Sequence, residues 1–298
     1  MTPASPPDGA ILLFGASGQV GGALLERLRS SARIVAPTRA EADFAEPARP
    51  AALVRDIAPR LIIIAAAYTA VDAAEDDRAV VFRVNCDAPA AIAREAKRCG
   101  APLIHYSTDY VFDGETKRPW RESDPPRPIN VYGESKRAGE EAVAATGADY
   151  IILRTSWVYA NRGQNFLTTI RRLAGERDEI WIVDDQIGSP TWAGALAEAT
   201  ETLIAELAPQ GSRDLEKLWG LYHCSAAGRT SWYGFAQAIM ARIAGPKPGM
   251  IPVPTSGYPT PARRPRFSVL DNSLIHQRLG IGMATWESQL AACLSRAE

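Results

Sequence analysis

Cysteine is scarce: Cys86, Cys99, Cys224 and Cys293 are the four in 298 residues, far apart and with no CxxC pair. Their spacing encodes neither a zinc site nor a disulfide framework, and suits a reducing compartment. An excess of one charge is also missing, because 33 basic side chains stand against 34 acidic ones. That balance leaves no electrostatic footprint for nucleic acid. No apolar run is long enough to cross a bilayer, and the N-terminal stretch M-T-P-A-S-P-P-D-G-A-I-L-L-F carries no basic segment ahead of its short apolar part. Internal repeats and low-complexity linkers are absent too. These absences predict a cytoplasmic globular protein with neither a nucleic-acid nor a membrane partner. A hydrophobic share of 46% with 22% charged residues is ordinary for such a chain and provides for a full core.

The apolar pattern sets out an alternating α/β chain. Ala10–Phe14 is a short apolar run bounded by glycine, as in a buried parallel strand, and Val20–Leu28 has helical spacing. Further strands are expected at Ile34–Ala36, Leu61–Ala67, Leu103–Tyr106 and Tyr150–Leu153, with helices at Ala48–Asp56, Val80–Cys99 and Ser135–Ala145 between them. This alternation predicts a Rossmann-like, doubly wound parallel sheet over residues 1–158. The rhythm then breaks into helix Phe166–Leu173, strand Ile180–Val183, helix Gly194–Ala205, strand Leu218–Cys224 and helix Trp232–Ile243. Residues 159–298 are therefore read mainly as a smaller mixed α/β substrate-binding lobe, with the strand near 218–224 returning to the first sheet. Seven prolines between Pro246 and Pro265 predict an irregular tail until a helix at Asn272–Leu279.

Gly15, Gly18 and Gly21 form G-x-x-G-x-x-G between the first strand and the first helix. Glycines there let the backbone approach a pyrophosphate, and the helix N-terminus offers free N–H groups. Ordinary βα turns also use glycine, so the position in the chain is what favours a dinucleotide. Ligands of an open α/β sheet lie beyond the carboxyl ends of its strands, which points to Ala65-Ala66-Ala67 and to Ser107-Thr108-Asp109. The alanines suit a flat cofactor or tight helix packing equally. Tyr132 and Lys136 are four residues apart, so a helix beginning near Val131 would set both on one face. An ammonium beside the phenol would favour phenolate and bring Tyr132 toward the range where general acid catalysis works. Thr108 could then hold a substrate carbonyl oxygen.

The order of glycine loop, alanine strand end, hydroxyl strand end and Tyr/Lys helix resembles the extended short-chain dehydrogenase/reductases. Longer motifs narrow the likeness: H-Y-S-T-D-Y-V-F-D-G at 105–114, N-V-Y-G-E-S-K at 130–136, R-T-S-W-V-Y at 154–159, D-Q-I-G-S-P-T at 185–191 and Y-P-T-P-A-R-R-P at 258–265. Together they resemble the dTDP-4-dehydrorhamnose reductase family from Ile11 to about Trp286. The resemblance implies that a nicotinamide cofactor delivers hydride to the 4-keto carbon of dTDP-4-dehydro-L-rhamnose. It implies Tyr132 as the acid, Lys136 as the tuner of Tyr132 and holder of the ribose, and Thr108 with Asp109 as sugar contacts. It places Gln19 and Val20 in the glycine loop, Asp43 and Phe44 near the adenine, and Ala65–Ala67 along the ribose and phosphates. It also sets Trp157 against the sugar or nicotinamide, although a purely packing tryptophan fits the sequence as well.

Some readings stay open at this stage. Arg263 and Arg264 suit bidentate contact with a diphosphate, or a solvated pair. His105 and His223 lie in apolar runs and read as structural. Some members of the family have dimers bridged by magnesium through glutamates, but the matching positions here, Ala23 and Gly194, cannot coordinate a cation. No metal is expected, and the oligomeric state is open. The second strand continues as Pro37-Thr38-Arg39 with no carboxylate at its end, so Arg39 and Thr38 are expected to hold a 2′-phosphate and to favour NADPH, with NADH possible. A sugar-nucleotide 4-epimerase and a non-catalytic regulatory subunit are the alternative readings.

Overall fold

The computed structural model describes residues 9–207 and 218–296; residues 1–8, on which much of the N-terminal reading rests, lie outside it. The first half runs β1 (Ile11–Phe14), α1 (Gln19–Leu28), β2 (Ile34–Val35), α2 (Ala48–Ile57), β3 (Leu61–Ile64), α3 (Arg78–Phe82), α4 (Ala88–Cys99), β4 (Leu103–Thr108), α5 (Val131–Ala145) and β5 (Tyr150–Thr155). The second runs β6 (Val158–Tyr159), α6 (Phe166–Glu176), β7 (Glu179–Val183), β8 (Ile187–Gly188), β9 (Thr191–Trp192), α7 (Ala193–Glu206), β10 (Gly220–His223), β11 (Thr230–Ser231), α8 (Trp232–Arg242), β12 (Gly249–Val253), α9 (Ser273–Leu279) and α10 (Trp286–Ser295).

Six strands form one parallel sheet in the order β10-β5-β4-β3-β1-β2. Its apolar strands bury both faces because successive side chains point to opposite sides. Ile11 and Leu13 pack with Leu24 of α1 and Leu196 and Leu203 of α7, whereas Leu12 and Phe14 pack with Val54 of α2 and Ile92 of α4. Helices therefore cover both faces, the doubly wound arrangement. The strand order reverses between β1 and β3, the two strands whose following turns carry the glycine loop and the alanine run. A crevice at such a switch point is where ligands of this architecture bind. A separate cluster of Tyr159, Leu167, Ile170, Phe235, Ile239 and Leu290 forms the core of the other half.

Several local expectations need correction. The Pro-rich tail is not irregular throughout, because β12 pairs in parallel with β7. Pro252 is tolerated there since a two-stranded sheet leaves one side of each strand free of ladder bonds. Helix α10 was missed: Thr285 caps it by accepting from the Ser288 N–H, and Trp286, Leu290 and Cys293 form its buried face. Helix α5 starts at Val131, ahead of Ser135, because the Asn130 side chain accepts from the Gly133 N–H at 2.8 Å. Between α3 and α4 the chain makes a π-helical turn, Arg83–Asp87. That turn turns Asn85 inward, where its amide meets Tyr68 and the Ser135 hydroxyl and ties the turn after β3 to α5.

Candidate active site

The switch-point crevice opens into a cleft of about 1010 Å³. Gly15, Gly18, Gln19 and Val20 line it from the β1–α1 turn, Arg39, Asp43 and Phe44 from beyond β2, and Ala65, Ala66 and Ala67 from beyond β3. Gly15 has φ +89°, and a side chain on it would lie 2.5 Å from the Ala66 nitrogen. A Cβ on Gly21 would lie 2.1 Å from the Gly15 carbonyl oxygen, so Gly21 packs under the loop rather than lining the cleft. The N-terminus of α1 has no side-chain cap, and Gln19 Oε1 is buried without a hydrogen-bond partner. Uncapped N–H groups and a loop with no side chains in the way fit the pyrophosphate of a dinucleotide, while the unmet Gln19 acceptor calls for a donor such as a ribose hydroxyl.

At the other end Thr108, Asp109, Tyr132, Lys136 and Trp157 line the same cleft. β4 runs through Ser107 and Thr108, longer than expected, so both hydroxyls are fixed by the sheet. Asp109 is buried and accepts from the Thr108 hydroxyl at 3.1 Å and from the Ser156 hydroxyl at 3.0 Å. Burial pushes its carboxyl up to about 6, opposed by bonds from Ser268, Ser156 and Thr108. Tyr132 packs edge-on against Tyr110 at 5.6 Å.

Lys136 is 2% exposed and donates to the Tyr106 carbonyl at 2.7 Å. The expected acidification of Tyr132 does not occur: burial, with Asp109 adding to it, pushes the phenol up to about 12, opposed by the Thr108 hydroxyl. Lys136 is itself pushed down to about 8 by burial, opposed by the charge of Glu140. His105 is not remote from this chemistry, since its Nε2 lies 3.4 Å from Lys136 Nζ, and burial together with Lys136 keeps its ring neutral. His223 has a structural place, with Nδ1 3.0 Å from the Trp120 carbonyl oxygen.

One helical turn beyond Lys136, Glu140 accepts from Arg154 Nε at 2.8 Å, Arg154 Nη2 at 2.6 Å and the Ser107 hydroxyl at 2.5 Å. This pair, 3% and 6% exposed, joins α5 to β4 and β5 directly beneath Thr108 and Lys136. Trp157 has φ +47°, a conformation strained for a bulky residue, and lies face to face with Trp232 at 3.5 Å. Gly188 makes room for it: a Cβ there would meet the Trp157 ring at 2.3 Å.

The arginine pair has partners of its own. Arg264 is already bound by Asp72 through contacts of 2.7 and 3.0 Å, and Arg263 is exposed with its carbonyl accepting from Asn130. Neither is among the residues that line the cleft. Farther beyond β2, Glu41 folds back to accept from the Thr38 N–H at 2.7 Å and its hydroxyl at 2.8 Å. These two bonds hold its carboxyl below the usual range. The sequence reading also missed Trp232 and Arg162, which line the cleft from α8 and from the β6–α6 loop. No local motif marks either; the fold alone brings them in.

A doubly wound sheet with a glycine loop at its switch point, and a Thr–Tyr–Lys group facing that loop, define a dinucleotide-binding protein of the short-chain reductase kind. The family model described as "RmlD substrate binding domain" matches residues 9–298, and the chain belongs to that family. It is 46% identical to the dTDP-4-dehydrorhamnose reductase of Burkholderia thailandensis, over 95% of this chain and 97% of that one. The corresponding protein of Escherichia coli strain K12 is 42% identical, over 93% and 94% of the two chains. Among solved structures, dTDP-4-dehydrorhamnose reductase from Bacillus anthracis in complex with NADP superimposes with a TM-score of 0.90 at 35% identity, covering 97% of this chain and 99% of that one.

Proposed function

We propose that the protein reduces the 4-keto group of dTDP-4-dehydro-L-rhamnose to give dTDP-L-rhamnose, using NADPH and accepting NADH. The observation that carries this reading is the meeting of Thr108, Tyr132 and Lys136 in the cleft whose far end is the Gly15–Gly21 loop. Gly15, Gly18, Gln19 and Val20 would seat the pyrophosphate, Phe44 and Asp43 the adenine, and Ala65–Ala67 the riboses and phosphates. The reduced nicotinamide, when bound, supplies the hydride. Thr108, whose one hydroxyl proton goes to Asp109 in this structure, would turn it to the substrate carbonyl oxygen when substrate binds. Tyr132 stays protonated across the physiological range and releases its proton to the new alkoxide. Lys136 contributes positive charge beside the developing oxyanion and binds the ribose. Trp157, stacked on Trp232, forms a wall for the sugar. Residues 1–158 with the strand near 218–224 carry the cofactor side and 159–298 mainly the substrate side.

Mixing the protein with NADPH and dTDP-4-dehydro-L-rhamnose, and following the absorbance of the reduced cofactor, tests this directly. One cofactor oxidised per substrate consumed is expected. Turnover without net consumption would instead indicate an epimerase, and none at all would favour a regulatory subunit.

The pH dependence follows from the buried groups. The cation of Lys136 is lost as pH rises through about 8, and the Asp109 carboxylate is lost as pH falls through about 6. kcat/KM, which reports the free protein, should therefore plateau between those limits and fall on both sides. Lys136→Arg should remove the alkaline limb, while an alkaline limb that persists in that variant would assign it to another group.

Cofactor preference depends on Glu41. Its carboxylate accepts from the Thr38 N–H and hydroxyl, so Thr38 is not free to donate to a 2′-phosphate, and this weakens the preference expected from Thr38 and Arg39. Glu41→Gln should raise the NADPH-to-NADH ratio of kcat/KM by roughly tenfold, the scale of one charge-assisted bond. An unchanged ratio would show that Thr38 and Arg39 lie off the 2′ position.

A further inference from the structure

Arg162 belongs to the far half of the chain, on the loop between β6 and α6, yet its guanidinium rests against Gly22 in the first turn of α1, next to the glycine loop. An ideal Cβ on Gly22 would lie 2.6 Å from Arg162 Nη2 and 3.2 Å from the Ala16 carbonyl oxygen, so the guanidinium sits in the space that glycine leaves open. The loop that carries it is built. Asn165 caps α6, and its amide donates to the carbonyls of Ala160 at 2.9 Å and Arg162 at 3.0 Å. The Thr168 hydroxyl donates to the Gly163 carbonyl at 2.8 Å, with Gly163 at φ +74°. The anionic partner of Arg162 is Glu26, at 3.9 Å between two exposed side chains, a pair of little energetic weight.

The other cations lining the cleft are spoken for. Lys136 lies at the Tyr132 end and Arg39 beyond β2, which leaves Arg162 as the lining cation beside the first turn of α1 among the described residues. A pyrophosphate there carries two negative charges against one helix end, and a guanidinium matches its oxygens in a bidentate fork. Because the residue comes from the other side of the cleft, its bond would also span the two walls.

We infer that Arg162 is a cofactor-diphosphate ligand, reaching across the cleft to the glycine loop through the gap at Gly22. The inference rests on the dinucleotide reading of the cleft. It names the diphosphate and not the 2′-phosphate, so the loss on removing Arg162 is the same for both nicotinamide cofactors.

The test is titration of the full-length protein with NADPH and, separately, NADH, read by the change in nicotinamide fluorescence on binding, with no substrate present. Arg162→Met should weaken both by about tenfold, in line with the loss of one charge-assisted contact. Arg162→Lys should recover part of the loss, and Gly22→Ala, whose new methyl displaces the guanidinium, should weaken both cofactors as well. Arg162 is exposed, with 57% of its side chain accessible, so the Met variant keeps its fold, which the circular dichroism and melting temperature verify. Unchanged affinities in Arg162→Met would overturn the inference, and a loss confined to NADPH would move Arg162 to the 2′-phosphate and overturn it equally. If the unsubstituted protein bound neither cofactor, the dinucleotide reading itself would be wrong, a result distinct from both.

Discussion

Tyr132→Phe should lower kcat by roughly a hundred- to ten-thousandfold, the usual contribution of a positioned general acid. In barrier terms this is about 3 to 5 kcal/mol. The substitution removes one oxygen and leaves the ring, so the edge-on contact with Tyr110 persists and the fold should be unaffected. Cofactor affinity should change little, because Lys136 takes its position from the Tyr106 carbonyl and His105 and not from the phenol. The paired measurement is therefore kcat from initial rates and the dissociation constant for NADPH by fluorescence. A variant with normal turnover would place the acid elsewhere in the cleft. A variant that loses cofactor binding in proportion to activity would reduce Tyr132 to a binding group.

Glu140→Ala should unfold at a markedly lower urea concentration, with a loss of about 3 to 5 kcal/mol. The reason lies in what remains. Arg154 would be left as a buried cation without its carboxylate, and the Ser107 hydroxyl would lose its acceptor. The double variant Glu140→Leu with Arg154→Met removes both charges together and should recover most of that stability, since buried pairs often contribute little net. Activity should not return with it, because Glu140 also opposes the loss of the Lys136 proton and fixes Ser107 beside Thr108. If the double variant regains both stability and turnover, the pair serves packing alone. If Glu140→Ala is as stable as the unsubstituted protein, Arg154 has found another partner or water.

The strands and the glycine loop were legible because their signals are local. Ile11–Phe14 and Leu61–Ile64 are continuous apolar runs, and Gly15 needs a positive φ that glycine accepts freely. Thr108, Tyr132 and Lys136 were legible by order and spacing. What escaped depends on distant partners. Arg264 looked free for a diphosphate until the fold brought Asp72 beside it, 192 positions away in the chain. Trp232 gains meaning only from Trp157, and Arg162 only from Gly22. The acidity of Tyr132 was misjudged for a related reason: helical spacing gives direction but not desolvation, and burial outweighs the Thr108 hydroxyl that opposes it. Glu41 and Asp43 were visible beyond the strand, but only the fold shows Glu41 closing a turn on Thr38.

The place of β10 in the sheet has a consequence for how the chain comes to be made. β10 pairs with β5 by matching Gly220 to Ile151, so the edge of β5 waits for a strand that emerges from the ribosome only after α6 and α7. During that interval β5 presents unpaired N–H and C=O groups and the apolar face of Ile151 and Leu153. The two halves are thus interleaved in synthesis order, and a chain stopped at the end of the alternating α/β segment would lack the strand that closes its own sheet. Nascent-chain release points before Gly220 should expose an adhesive edge, and those after His223 should seal it.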